Sequence, residues 1–164
     1  MKDIDNALIK IAQGDMSALS VVHDGLARLV FSVAFTVTGN AEDSRDVLGD
    51  TIIRVAQSAH LYRPGSNARA WVCAIARNLA LDLLRKRRRE EADGEAVERE
   101  SCDDETAVWE LLSSLGEGDR EIVLLRVNLG YSYKEIAALA GTTPEAARKR
   151  YKRAIDKLKG DLTK

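Results

Sequence analysis

Proline and aromatic residues are scarce in this chain, and each scarcity removes a class of fold. Two prolines in 164 residues and an aromatic share of 5% argue against a β sandwich or barrel. Two cysteines, Cys73 and Cys102, make neither a disulfide framework nor a zinc site. His23 and His60 lack ligand-like spacing, so neither a metal nor a cofactor is expected. The most apolar window, Leu29 to Val37, is far short of a membrane span and contains Ser32 and Thr36. Met1-Lys2-Asp3-Ile4-Asp5 is too polar for a signal peptide. A cytoplasmic protein without membrane insertion is expected. There is no phosphate-binding glycine loop and no Ser, His and acid set in a recognisable context, so an enzyme is not expected.

What the chain does have is helical periodicity and charge sorted into blocks. The net charge of −1 conceals this sorting. Arg85-Lys86-Arg87-Arg88-Arg89 is wholly basic, and Glu90 to Glu105 holds nine acids against one arginine. From Pro144 to Lys164 there are eight bases and three acids. Two basic blocks are thus separated by an acidic spacer. Apolar periodicity stops at the spacer, which reads as a flexible linker over 90–105 between helical domains at 1–89 and 106–164.

The spacing predicts four helices in the first domain. Ile4, Leu8 and Ile11 share a face that Gly14 can end, and Asp15 can cap a second helix whose apolar positions Leu19, Val22, Leu26, Val30, Val33 and Val37 run to Thr38-Gly39. Asn40 can cap a third, with Val47, Leu48, Ile52 and Val55 inward and Asp43, Asp46 and Asp50 outward. A loop from His60 to Ser66 precedes a fourth helix beginning near Asn67. Its buried stripe is expected to be Val72, Ile75, Ala76, Leu79 and Leu83, with Arg77, Asn78, Arg85 and Arg88 projecting away.

The second domain carries the more specific signal. Val108, Leu111, Leu112 and Leu115 mark one helix, and Ile122, Val123, Leu125 and Leu129 another. Ser132 and Glu135 have the spacing of a reciprocal helix start, and Gly141 can take the left-handed conformation that ends a helix. Thr143 can cap the last helix, with Pro144 at its first position. In that helix Ala147, Tyr151, Ala154 and Leu158 share one face, leaving Arg148, Lys149, Lys152 and Arg153 outside. A helix pair of this kind places its second member in a DNA major groove, where basic side chains neutralise phosphates and contact guanines.

Two helical modules, the first ending in a basic helix and the second in a helix-turn-helix, resemble the sigma-70 family, most of all its extracytoplasmic-function (ECF) group. The similarity lies in Ala41-Glu42-Asp43-Ser44-Arg45-Asp46-Val47, in Asn67 to Trp71 with Ile75 to Arg85, and in Leu112 to Leu158. The resemblance implies an all-α protein with a region 2-like domain and a region 4-like domain. It implies a sigma factor that binds core RNA polymerase through Asp46 and Asp50, on the clamp helices of the largest subunit. Tyr62, Arg69, Arg77, Asn78, Arg85 and Arg88 would then meet the single-stranded −10 element. Glu145, Arg148, Lys149, Lys152 and Arg153 would read the double-stranded −35 element. An anti-sigma factor as partner is a further implication. The chain departs from the family's usual pattern at Gly49-Asp50, where Gln-Glu is frequent, and at Ala56, where tryptophan is common. It also has Leu115-Gly116-Glu117-Gly118 where a proline is typical. Two other readings accommodate part of the chain: a sigma mimic that titrates an anti-sigma factor, and a stand-alone helix-turn-helix regulator.

Overall fold

The computed structural model describes residues 2–92, 111–127 and 129–163, and among them no strand occurs. The chain divides into two units, Met1–Glu100 and Ser101–Lys164.

In the first unit, α1 (Lys2–Ala12) buries Ile4, Ala7, Leu8 and Ile11, the one face its spacing predicts. Asp15 then caps a short 3₁₀ turn, Met16–Ala18, by accepting from the Ser17 N–H, and α2 (Leu19–Thr38) follows. Helix α2 is the centre of the unit, packed by α1, α3 (Ala41–Ser58) and α4 (Ala68–Ala92). The stretch Met16–Thr38 is long and apolar enough to cross a membrane by composition alone. Here Val22, Leu26, Val30, Val33 and Ala34 of that stretch are buried, as in the core helix of a globular unit. Gly39, at φ 65°, ends α2 and returns its N–H to the Phe35 carbonyl at 2.8 Å. Asn40 starts α3 by accepting from the Asp43 N–H at 2.9 Å.

Small residues set how closely these helices approach. Helix α4 buries Ala68, Ala70, Cys73, Ala76 and Ala80 beside Val72. Its core stripe therefore runs through the alanines and Cys73, while Ile75, Leu79 and Leu83, expected inside, are only half-buried. Burial pushes the Cys73 thiol up to about 12, which leaves it a neutral core residue. Gly25 serves the same purpose on α2, since a Cβ there would stand 2.7 Å from Ile4 Cδ1.

Asp43 is the main departure from the expected pattern. The spacing predicts it outward with Asp46 and Asp50, yet its side chain is 3% exposed and paired with Arg87 of α4. One carboxylate oxygen takes the guanidinium, and the other, Oδ2, has no hydrogen-bond partner. The pair links the first turn of α3 to the last turns of α4. Burial raises the Asp43 carboxyl above its ordinary value, Arg87 pulls it back, and Asp46 and Glu42 add to the rise.

In the second unit a helical turn at 111–113 leads to Leu115, which is buried with Val123, Ala154 and Leu158 against Leu111, Leu112, Tyr151 and Ile155. Val108 lies outside the described residues, as does the expected linker from residue 93 onward; Glu90, Glu91 and Ala92 continue α4. Helix α5 (Glu117–Val127) buries Ile122, Val123, Leu124 and Leu125. Leu129, expected within it, is buried just beyond its end. Helices α6 (Tyr133–Ala140) and α7 (Pro144–Leu162) complete the unit. Gly141, at φ 61°, joins them with its N–H on the Ala137 carbonyl.

Two stability outcomes follow. Arg87→Met strands a buried carboxylate and is expected to cost about 3 kcal/mol near neutral pH in urea unfolding of the full chain. A carboxyl with a raised folded pKa stabilises the fold most when protonated, and that contribution is lost as pH rises through the folded value. The penalty of Arg87→Met should therefore shrink as the pH is lowered, and amide exchange in α3 and α4 locates it. Gly141→Ala forces an L residue into the left-handed region and should cost about 1 kcal/mol, read as faster exchange across α6 and α7.

Candidate nucleic-acid interface

Each unit carries one candidate DNA surface, built on a helix whose opposite side is core. On α4, burying Ala76 and Ala80 turns the basic positions outward. Arg69, Asn78, Arg85 and Arg88 are exposed and Arg77 is half-buried. Arg69, Arg77 and Arg85 follow one another at eight-residue steps, about 12 Å of helix each. Arg85 reaches Asp82 at 2.8 Å, with both side chains about two-thirds exposed (67% and 68%). Such a surface pair is weak and gives way to a phosphate. Arg87 of the basic block turns inward, to Asp43.

The loop before α4 is less open than expected. Tyr62, read as a ring available to a base, is 6% exposed. Its ring packs on Trp71 with centroids 5.5 Å apart and planes at 60°. Its hydroxyl donates to the Asp5 carboxylate of α1, with the Ser66 carbonyl oxygen 3.0 Å away. Burial and then the Asp5 carboxylate hold the phenol above its ordinary value, so it stays a donor. A ring committed to core packing has no face left for stacking on a base. The residues the loop turns outward are His60, Leu61, Arg63, Pro64, Gly65 and Ser66. Asn67 accepts from the Ala70 N–H at 3.0 Å and so fixes where α4 starts.

Asp46 and Asp50 are exposed on α3, and Ile53, 57% exposed, lies one turn further along the same side. The result is an acidic face with an apolar member, away from the buried Val47, Thr51 and Val55.

In the second unit the helix-turn-helix is held by hydrogen bonds its sequence specifies. Ser132 Oγ accepts from the Glu135 N–H at 3.3 Å, and Glu135 accepts from the Ser132 N–H at 2.8 Å. The Ser132 hydroxyl, which donates to the Glu135 carboxylate at 2.7 Å, and then the Ser132 N–H lower that carboxyl below its usual value. Thr143 Oγ1 accepts from the Ala146 N–H at 3.2 Å, with Pro144 at the first helical position. Aromatic contacts join these helices to each other and to α5. Tyr133 meets Tyr151 edge-on at 6.0 Å, and Arg126 lies 4.8 Å over the Tyr133 ring.

With Ala147, Ala154 and Leu158 inside, α7 presents Glu145, Arg148, Lys149, Lys152 and Arg153 to solvent. Among the described residues none of these four cations enters an ion pair. Two other bases of α7 have partners within the unit: half-buried Arg150 pairs with Asp119 at 2.9 Å, and exposed Lys157 donates to the Ser114 carbonyl. Gly118 makes room for the first of these, since a Cβ there would collide with the Arg150 guanidinium. Sequence spacing did not reveal these partners; the glycines where a proline is usual were the one visible sign.

Comparison with known proteins agrees with this geometry. Residues 23–90 match the model for sigma-70 region 2, and residues 105–158 match sigma-70 region 4. The chain is 35% identical over 134 residues to the ECF RNA polymerase sigma factor EcfG of Rhodopseudomonas palustris, covering 76% of this chain and 74% of that protein. It is 32% identical over 130 residues to the RNA polymerase sigma factor CarQ of Myxococcus xanthus, covering 73% and 75%. Among solved structures, the sigma factor RpoE in complex with the anti-sigma factor NepR, from Bartonella quintana, superposes with a TM-score of 0.69 at 25% identity over 87% of this chain and 96% of that one. CnrH in complex with the cytosolic domain of CnrY gives 0.73 at 25% identity over 98% and 97%. With a basic helix on each of two helical units and both sigma regions matched in order, the chain belongs to the ECF group of the sigma-70 family of RNA polymerase sigma factors.

Proposed function

We propose that the three faces divide promoter opening between them. The α3 face around Asp46, Asp50 and Ile53 docks on a basic surface of core RNA polymerase, the clamp helices of its largest subunit. Arg69, Arg77, Asn78, Arg85 and Arg88 hold the backbone of the melted −10 strand, and the loop from His60 to Ser66 receives an unstacked base. Tyr62 supports that loop from behind instead of stacking on the base. Helix α7 enters the major groove at the −35 element, where Arg148, Lys149, Lys152 and Arg153 meet phosphates and guanines and Glu145 accepts from a cytosine amine. The protein works in the cytoplasm, beside the polymerase.

The observation that carries this reading is that, among the described residues, Arg148, Lys149, Lys152 and Arg153 of α7 enter no ion pair, while Arg150 of the same helix is tied to Asp119 and Lys157 to the Ser114 carbonyl. A decoy for an anti-sigma factor has no use for a phosphate-binding face, and a stand-alone regulator leaves the α3 face and α4 stripe without a task. RpoE of Bartonella quintana was solved with the anti-sigma factor NepR. For this chain we propose a protein inhibitor of the same kind, competing with polymerase for the acidic α3 face.

Promoter-dependent run-off transcription with purified core enzyme tests the whole reading; no specific transcript from any selected genomic fragment sinks it. Asp46→Lys with Asp50→Lys should weaken binding to core by about tenfold or more in a sedimentation assay, leaving duplex binding by α7 intact. Arg148→Ala with Lys152→Ala should flatten the dependence of log affinity on log salt by about 2 in fluorescence anisotropy on a selected duplex. An unchanged slope excludes both residues from phosphate contact.

A further inference from the structure

We propose that Asp5, on the N-terminal helix, is a positioning residue for strand capture: its carboxylate holds the loop between α3 and α4 in the shape that receives the unstacked base. The proposal rests on the assignment of that loop to the −10 strand. Asp5 lies outside residues 23–90, where the chain matches sigma-70 region 2, so nothing in that match gives it a role.

The geometry is that of a clamp from one helix onto the middle of a loop. One oxygen of Asp5, Oδ1, accepts from the Tyr62 hydroxyl and from the Gly65 N–H, the latter at 3.1 Å. These two donors bracket Arg63 and Pro64, which both face solvent. The Tyr62 hydroxyl has one hydrogen and two acceptors, and the charged carboxylate is the stronger. Gly65 sits at φ 78°, in the left-handed region where glycine carries no side-chain penalty. The turn closes through the Ser66 N–H on the Arg63 carbonyl at 3.1 Å. Immediately beyond it, Asn67 starts the helix that bears Arg69 and Arg77.

Helix α1 is itself seated by Ile4, Leu8 and Ile11, which flank Asp5 in the sequence and are buried. The carboxylate is therefore presented by a helix seated in the core, while residues 63–66 of the loop it holds are exposed. Ordering such a loop before the DNA arrives removes that entropy cost from the binding step. Loops that carry function are routinely held this way by a neighbouring scaffold.

The test compares wild-type, Asp5→Ala, Asp5→Asn and Tyr62→Phe proteins, each assembled with core polymerase. The probe is a single strand enriched on the wild-type holoenzyme from a pool with a randomised centre. Asp5→Ala should weaken binding to that strand by about tenfold, and Tyr62→Phe, which keeps the ring packing, by about threefold. Asp5→Asn retains an acceptor oxygen and should recover most of the loss. Affinity for core and for a selected −35 duplex should stay within about twofold of wild type for every variant. Strand binding by Asp5→Ala within about twofold of wild type overturns the proposal. So does a parallel loss of strand binding, core binding and melting temperature that asparagine fails to rescue, because that pattern belongs to a purely structural contact. A wild-type holoenzyme that assembles yet enriches no strand refutes the loop assignment itself, a different result from failure of Asp5 alone.

Discussion

Much of the first unit is organised by one buried ion pair, Asp43 with Arg87. It joins the start of the helix that carries the acidic face to the end of the helix that carries the arginine stripe. A carboxylate this deep is tolerated only with a cation beside it, and Arg87 must leave the basic block to supply one. Pairing the start of one helix with the end of the next matches an antiparallel arrangement, and their outward faces follow from what they bury. Asp46 and Asp50 are exposed because Asp43 and Val47 are not. Arg85 and Arg88 are exposed while Arg87, between them, is tied inward.

The chain distributes its positive charge unevenly between structure and recognition. Arg87, Arg120, Arg150 and Lys157 are spent on internal acceptors: a buried aspartate, the Leu112 and Leu115 carbonyls, Asp119, and the Ser114 carbonyl. Each stabilises a helix end or a helix crossing. Among the described residues Arg148, Lys149, Lys152 and Arg153 of α7 enter no ion pair, so meeting an external anion breaks none. Surface pairs such as Arg85 with Asp82 lie between these cases, since solvent screening makes them easy to exchange for a phosphate.

The parts of this fold that were legible in the amino acids are those governed by local rules. Asn40, Ser132 and Thr143 cap helices, Gly39 and Gly141 end them, and Ala147, Ala154 and Leu158 form the inner face of α7, all as spacing predicts. The failures are tertiary. Asp43 looks like a solvated acid because its partner is far away in sequence. Tyr62 looks like an open loop aromatic because nothing local announces that Asp5, 57 residues away, accepts its hydroxyl. The stripe on α4 shifts toward alanines because close helix approach favours small residues over large ones, an effect that periodicity cannot see. Among the proposed site residues, exposure of the α7 cations followed from the helix period, whereas Tyr62 needed coordinates.

Gly118 has a consequence that reaches across the second unit. The absence of a side chain there leaves a slot that the Arg150 guanidinium fills on its way to Asp119. A Cβ at that position would collide with a guanidinium nitrogen, so with any larger residue the end of the Arg150 side chain would have to shift to stay beside Asp119. The smallest residue on α5 thus leaves room for a cation of α7 to pair inside the unit and not at its surface.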